Sequence, residues 1–196
     1  MEREIMFTGI GGQGVQLGAQ ILGLAATRED RHVMLFGTYG GSMRGGNTDS
    51  TLVVADAPIS SPPIVSTTWA AVSMHHQYWE PMRRKLTAGS VVFLNSTLFE
   101  EEFDRIDLQV IEVPATELAT EIGTPLAGSM AMVGAVAAAT SIVGIDSLVQ
   151  AMEESLPGYR KQHAADNEKA LRAGFEFAET DVAPAWTQRE DSNGDG

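Results

Sequence analysis

The residues best suited to chemistry in this chain form a glycine-rich loop near its start, Gly-Ile-Gly-Gly-Gln-Gly at positions 9–14. Gly9, Gly11 and Gly14 have the spacing G-x-G-x-x-G, between an apolar stretch typical of a buried strand and an apolar helical pattern. Such glycines let the chain turn tightly and let an anion approach backbone N–H groups at the start of a helix. Two interpretations stay open: contact with an anion or cofactor, or a tight turn that serves packing or a subunit contact.

A dinucleotide site built on this loop also needs an acidic residue about 20 positions further on, to bind a ribose hydroxyl. The second predicted strand, residues 33–36, is instead followed by Gly37 and Thr38. The loop therefore suits a phosphate group, whereas the expectation of a complete dinucleotide site is weakened.

A second glycine-rich stretch, residues 37–46, contains five glycines and a single cation, Arg44. Ordering so much glycine costs conformational entropy, and we expect a bound anion or another chain to compensate for it. Arg44 matches the geometry of phosphate and carboxylate groups, so we expect it at a ligand or an interface. The predicted binding residues are Gly9, Gly11, Gly12, Gln13, Gly14, Arg44, Gly45 and Gly46.

No self-sufficient set of acid, base and nucleophile emerges from the sequence. His75 and His76 are adjacent, but no further His or carboxylate stands at ligand spacing, so a structural or rim position is expected for them. The chain has no G-x-S-x-G motif, and its lack of cysteine excludes thiolate catalysis and cysteine-ligated clusters. We predict no catalytic residue and no metal site here.

Strand-like and helical stretches alternate over the first two-thirds of the chain, and helical patterns then continue to about residue 177. This order predicts an α/β, three-layer, Rossmann-like domain with a mainly parallel sheet and a helical C-terminal part. The first strand, helix and second strand should form a βαβ unit. Because ligands on such sheets lie beyond the carboxyl ends of strands, both glycine loops, His75–His76 and Asn95–Ser96 should share one rim.

At 196 residues, the chain suits one domain, predicted over residues 1–179 and followed by a disordered acidic tail over residues 180–196. The net charge of −13 argues against a nucleic-acid partner, which needs a basic face. We expect no signal peptide and no membrane span, and hence a cytoplasmic protein without a membrane partner.

Several motifs together resemble the gamma component of the 2-oxoacid:ferredoxin oxidoreductases. The match covers about residues 3–178 in order, and departures include Gly41-Ser42 before Met-Arg-Gly-Gly and Ser129 where the family often has Asn. The motifs that carry it are the loop at 9–14, Tyr39-Gly followed by Arg44-Gly-Gly46, Asp56-Ala-Pro-Ile59, Ala115-Thr-Glu-Leu-Ala119, Met130-Ala-Met-Val-Gly134-Ala and Asn167-Glu-Lys-Ala-Leu-Arg-Ala-Gly174.

The resemblance implies an accessory subunit of a complex that oxidatively decarboxylates a 2-oxoacid with thiamine diphosphate, forms an acyl-CoA, and passes electrons through iron–sulfur clusters to ferredoxin. It implies alpha and beta partner subunits that hold the thiamine and its Mg²⁺, with the clusters in beta or delta, and no cofactor held by this chain alone. The two glycine loops would lie at the subunit junction, near the thiamine-bound intermediate and coenzyme A.

Two other functions remain open at this stage. One is a stand-alone oxidoreductase domain that binds NAD or a flavin, against which the missing acidic residue weighs. The other is a purely structural adaptor whose glycine loops contact only protein.

Overall fold

A six-stranded sheet lies at the centre of the computed structural model, which describes residues 1–39, 45–60, 65–102 and 105–186. The strand order is β2-β3-β1-β4-β5-β6. β3 runs antiparallel to both of its neighbours, and the other pairings are parallel. The strands are β1 (Glu2–Ile10), β2 (His32–Tyr39), β3 (Asn47–Ala55), β4 (Thr68–Ser73), β5 (Leu86–Asn95) and β6 (Gln109–Val113).

Six α-helices accompany the sheet in the described residues, together with short 3₁₀ turns at His76–Tyr78, Pro125–Ala127 and Gly158–His163. The main core lies between one face of the sheet and all of these helices except the short α2, which covers a smaller apolar cluster on the opposite face. The helices are α1 (Val15–Arg28), α2 (Glu80–Arg83), α3 (Ala115–Glu121), α4 (Gly128–Thr140), α5 (Ile145–Ser155) and α6 (Ala164–Phe177).

α4 is the internal helix of the molecule, since all thirteen of its residues are buried. Apart from Ser129 and Thr140, its residues are apolar or glycine on every side, as a fully enclosed helix requires. α6 packs directly on it at two glycines. A Cβ atom added to Gly134 would lie 2.0 Å from the carbonyl oxygen of Leu171, and one added to Gly174 would lie 1.8 Å from that of Ala131.

The predicted fold class is confirmed: the protein is an α/β domain with a mostly parallel sheet and a helical C-terminal part. β1 and β2 run in the same direction, but β3 lies between them and pairs antiparallel with both. The connection from β2 to β3, residues 40–46, is too short for the crossover of a dozen or more residues that parallel neighbours need. The two strands therefore form a hairpin.

The chain continues beyond α6 as a packed segment, residues 180–186. Asp181, Ala183 and Ala185 donate backbone hydrogen bonds to the last residues of α4, at 3.0, 2.9 and 2.7 Å. The Trp186 ring lies 4.0 Å from the Arg31 guanidinium, and its indole N–H donates to the Ile142 carbonyl. This part of the predicted tail is therefore ordered, and residues 187–196 lie outside the described residues.

Candidate functional site

Two glycines with positive φ let the loop at residues 9–14 turn, and hydrogen bonds of one glutamine side chain hold it in place. Gly12 has φ 107°, and Gly14 has φ 76° at the N-cap of α1. Gln13 Oε1 accepts a hydrogen bond from the Ile10 N–H at 2.7 Å, and Gln13 Nε2 donates to the Met74 carbonyl at 3.4 Å. Gln13 thus ties the loop to the residue after β4.

The two glycine loops are joined by backbone hydrogen bonds. The Gly11 N–H donates to the Gly46 carbonyl at 2.8 Å, and the Gly45 N–H donates to the Gly11 carbonyl at 3.4 Å. The Tyr78 hydroxyl donates to the Gly45 carbonyl at 3.4 Å. The structure therefore brings the described members of the predicted binding set together, while Arg44 lies outside the described residues.

A pocket of about 390 Å³ opens beside the first loop, between the starts of α1, α4 and α6. The positive end of the macrodipole of each of these helices lies at its start. No acidic residue lines the pocket within the part of the chain that the structure describes. The pocket is lined by Gly12, Gly14, Leu17, Thr124, Leu126, Ala127, Ser129, Met130, Leu156, His163 and Asn167.

Ser129 is the most enclosed polar group of this pocket, with 5% of its surface exposed. Its Oγ lies 2.4 Å from where a Cβ atom would stand on Gly14, so α1 and α4 meet here only because residue 14 is glycine. Neither α1 nor α4 has a side-chain cap. Within the described part of the chain, the Ser129 hydroxyl has no hydrogen-bond partner and faces the pocket.

The histidine pair lies on the same rim, after β4, as the sequence predicts. The two rings are 4.5 Å apart, and His76 Nδ1 lies 3.1 Å from the Leu98 carbonyl oxygen. The Gln77 N–H donates to His75 Nδ1. Partial burial, and then the neighbouring His76, lower the pKa of His75 below its ordinary value, while Glu100 opposes the shift.

Asn95, also predicted on the rim, ties strands and helix together. Its side-chain amide donates to the Met74 carbonyl at 3.2 Å and to Thr116 Oγ1 at 2.9 Å, and its Oδ1 accepts from the Thr116 N–H. Fully buried and hydrogen-bonded in this way, it fixes the carboxyl ends of β4 and β5 against the start of α3. Among the described residues, no group of three His, Asp or Glu side chains could hold a metal ion.

The chain matches the family model described as pyruvate ferredoxin/flavodoxin oxidoreductase over residues 4–177. It belongs to this oxidoreductase family. The gamma-type resemblance of the sequence is thereby confirmed, together with the assignment to an enzyme complex, because curated relatives of nearly the same length are named as oxidoreductase subunits.

Among these relatives is the 2-oxoglutarate synthase subunit KorC of Methanocaldococcus jannaschii, 30% identical, with 91% of this chain and 95% of the relative covered. The common gamma subunit of the pyruvate/ketoisovalerate oxidoreductases of Thermococcus litoralis is 31% identical, with 88% and 95% covered. The crystal structure of a keto/oxoacid ferredoxin oxidoreductase gamma subunit from Geobacter sulfurreducens PCA has the same fold, with a TM-score of 0.73, 24% identity, and 89% and 96% covered.

Sequence reasoning found the glycine loops of this family member but missed the pocket beside them. Thr124, His163 and Asn167 come from distant parts of the chain and meet only through tertiary packing. Ser129 carried a detectable signal, because it is a polar residue at the start of a helix whose remaining residues, except Thr140, are apolar or glycine. Among the described residues, no helix combines the length and the apolar composition needed to cross a bilayer.

Proposed function

We propose that this chain is the gamma subunit of a thiamine diphosphate-dependent 2-oxoacid:ferredoxin oxidoreductase. The observation that carries the proposal is the joining of the two glycine loops beside a pocket whose described lining residues include no acidic side chain, in a chain of this family. The absence of cysteine supports partner subunits as the holders of the iron–sulfur clusters, since those clusters are bound by thiolates.

The reaction of the complex is the oxidative decarboxylation of a 2-oxoacid to an acyl-CoA. Thiamine diphosphate with Mg²⁺ supplies the electron sink for decarboxylation, and the clusters carry electrons to ferredoxin. Alpha and beta subunits, with a delta subunit for clusters, provide these groups. This chain is accessory and helps to form the junction at which they meet.

Coenzyme A is the group that this chain contacts in the proposal, through one of its phosphates at the pocket. Three helix starts, the free Ser129 hydroxyl and the absence of acidic lining residues favour an anion there. Asn167 in the first turn of α6 adds an amide that can donate a hydrogen bond. Arg44, outside the described residues, remains a further proposed phosphate ligand.

The substitution Asn167→Asp tests this placement in the assembled complex. It introduces a carboxylate of the same size into the pocket, at a helix start that tolerates negative charge, so folding should be preserved. We expect the KM for coenzyme A to rise about tenfold, which corresponds to roughly 1.4 kcal/mol, with a smaller effect on kcat.

The matched control is Gln150→Glu, which adds the same charge isosterically at an exposed position of α5. It should leave the KM for coenzyme A within about twofold of the wild-type value, because exposed distant charges are screened. An assembled Asn167→Asp complex with the same KM as this control would show that the pocket does not bind coenzyme A.

A further inference from the structure

The segment after α6, residues 180–186, closes the end of the buried helix α4, and we call it the C-terminal strap. The last four carbonyl groups of an α-helix have no partner within the helix and need one elsewhere. In α4 the first of these four accepts the Ser141 N–H at 2.8 Å. The strap provides donors for the other three, with backbone hydrogen bonds from Asp181 to Ala138, from Ala183 to Ala139 and from Ala185 to Thr140.

The sequence of the strap suits this arrangement. Every second residue, Asp181, Ala183 and Ala185, donates its N–H to α4. Pro184 lies between two of these donors, at a position where the missing N–H of proline costs no hydrogen bond. Ala183 and Ala185 are both buried, and their small side chains let the strap lie close to the helix.

The strap is also bound to the sheet, at the edge opposite the glycine loops. The Ala185 carbonyl accepts a hydrogen bond from Arg3 Nε at 2.7 Å, and the Trp186 ring lies 4.0 Å from the Arg31 guanidinium. Arg3 lies at the start of β1, and Arg31 directly precedes β2, which runs in the same direction as β1. The strap therefore joins the end of α4 to the amino ends of these strands.

We propose that the C-terminal strap is a positioning element for the pocket: by fixing α4 along its axis, it keeps Ser129 against Gly14. The side chains of α4 are uncharged and nearly all apolar, so they offer few directional contacts. Among the described residues, the backbone hydrogen bonds that join α4 to another segment all come from the strap. This inference does not depend on which ligand the pocket takes.

α4 connects the strap to the pocket, because its two ends lie at opposite edges of the sheet. Ser129 and Thr140 are about 17 Å apart along the helix axis. A rigid helix that shifts at one end also shifts at the other, which is how packed elements couple distant sites. The Ser129 hydroxyl fills the space that a side chain on residue 14 would occupy, so a displaced α4 would open a gap there and expose residue 129.

Thiol labelling at residue 129 tests this positioning, because the chain has no cysteine of its own. Ser129→Cys places a single thiol at a site that is 5% exposed. In the full chain, Ala185→Pro combined with Trp186→Ala weakens the strap, since it removes one donor to α4 and both contacts of the indole ring. Iodoacetamide should label Ser129→Cys about tenfold faster with the weakened strap than with the wild-type strap, because a buried thiol reacts only through local opening.

A second thiol separates positioning from general stability. Ala71 is fully buried in β4 and belongs to the apolar cluster on the other face of the sheet. Ala71→Cys should be labelled equally slowly with the wild-type and the weakened strap. The matched control is Phe177→Ala, which removes a half-exposed aromatic ring at the end of α6, outside the strap, and should leave the labelling of both thiols unchanged.

Trp186→Ala alone is the milder variant, and it provides the comparison if the double substitution prevents folding. It keeps the three backbone hydrogen bonds and should accelerate labelling of Ser129→Cys less strongly, again without an effect on Ala71→Cys. Equal acceleration at both thiols would mean that the strap only stabilises the fold as a whole. An unchanged rate at Ser129→Cys would mean that the crossing with α6 fixes α4 without the strap, and either result would overturn the proposal.

Discussion

Gly14 and Ser129 determine how closely α1 and α4 approach each other beside the glycine loops. A side chain at residue 14 would require a left-handed backbone and would also meet the Ser129 hydroxyl. The free-energy cost of the left-handed backbone and that of the contact with Ser129 have different origins, so experiments can separate them.

Gly14→Ala should lower the free energy of unfolding by about 1–3 kcal/mol, of which roughly 1–2 kcal/mol is the backbone cost. Ser129→Ala removes the hydroxyl that the new methyl group meets. The double variant should therefore be more stable than the sum of the single effects predicts, as measured by urea denaturation. Strict additivity would show that the two residues are not in contact.

His75 gives the stability of the protein a dependence on pH. Its folded pKa is lowered below 6.5, by burial first and by His76 second, so the unfolded chain takes up the proton more readily. The contribution is complete above the unfolded pKa and is lost as the pH falls through the mildly acidic range. Protonation would also break the hydrogen bond that His75 Nδ1 accepts from the Gln77 N–H.

The stability of wild-type protein should accordingly fall from pH 7.5 to pH 5 more steeply than that of His75→Gln. Urea midpoints measured across this range compare the two proteins. Parallel curves would mean that His75 titrates alike in the folded and unfolded states.

Among the helices and strands, α4 and α6 cross in close backbone contact, and this contact holds α6 against the buried helix of the core. Gly134 and Gly174 let the two backbones approach to a distance at which any side chain would overlap a carbonyl group. A backbone carbonyl cannot rotate out of the way as a flexible side chain can, so the helices themselves would have to separate.

Gly134→Ala should destabilise the protein by about 3 kcal/mol or more, even though alanine favours the helix by up to about 1 kcal/mol. Gly128→Ala in the same helix is the control, because its added Cβ would make only ordinary contacts at 3.5 Å. The control should stay within about 1 kcal/mol of wild type in thermal or urea denaturation. Similar losses in both variants would contradict the close crossing.

The strands, the apolar helix α4 and the shared rim were predictable because each leaves a local pattern in the sequence. The hairpin of β2 and β3 was not predicted, although residues 40–46 are too few for a crossover between parallel strands. The pocket was not predictable, because Asn167 reaches it only when α6 folds back over α4. The packing of residues 180–186 was missed for a similar reason: small alanines and backbone hydrogen bonds give no periodic signal.

For the whole molecule, family membership and the geometry of the site both indicate that this chain works together with other subunits. The described residues form a glycine-rich rim and a pocket whose lining includes no acidic side chain, and both features suit contact with other molecules. The chain contains no thiolate with which to hold a cluster. We therefore expect this chain to act within a complex.

Purification of the protein with its natural partners, through a tag on this chain, tests this expectation. Larger subunits should co-purify in stoichiometric amounts with bound thiamine diphosphate and iron. The preparation should reduce ferredoxin only when a 2-oxoacid and coenzyme A are both present. A chain that purifies alone and binds NADH or FAD at micromolar concentration would show that it does not act as a subunit of this kind.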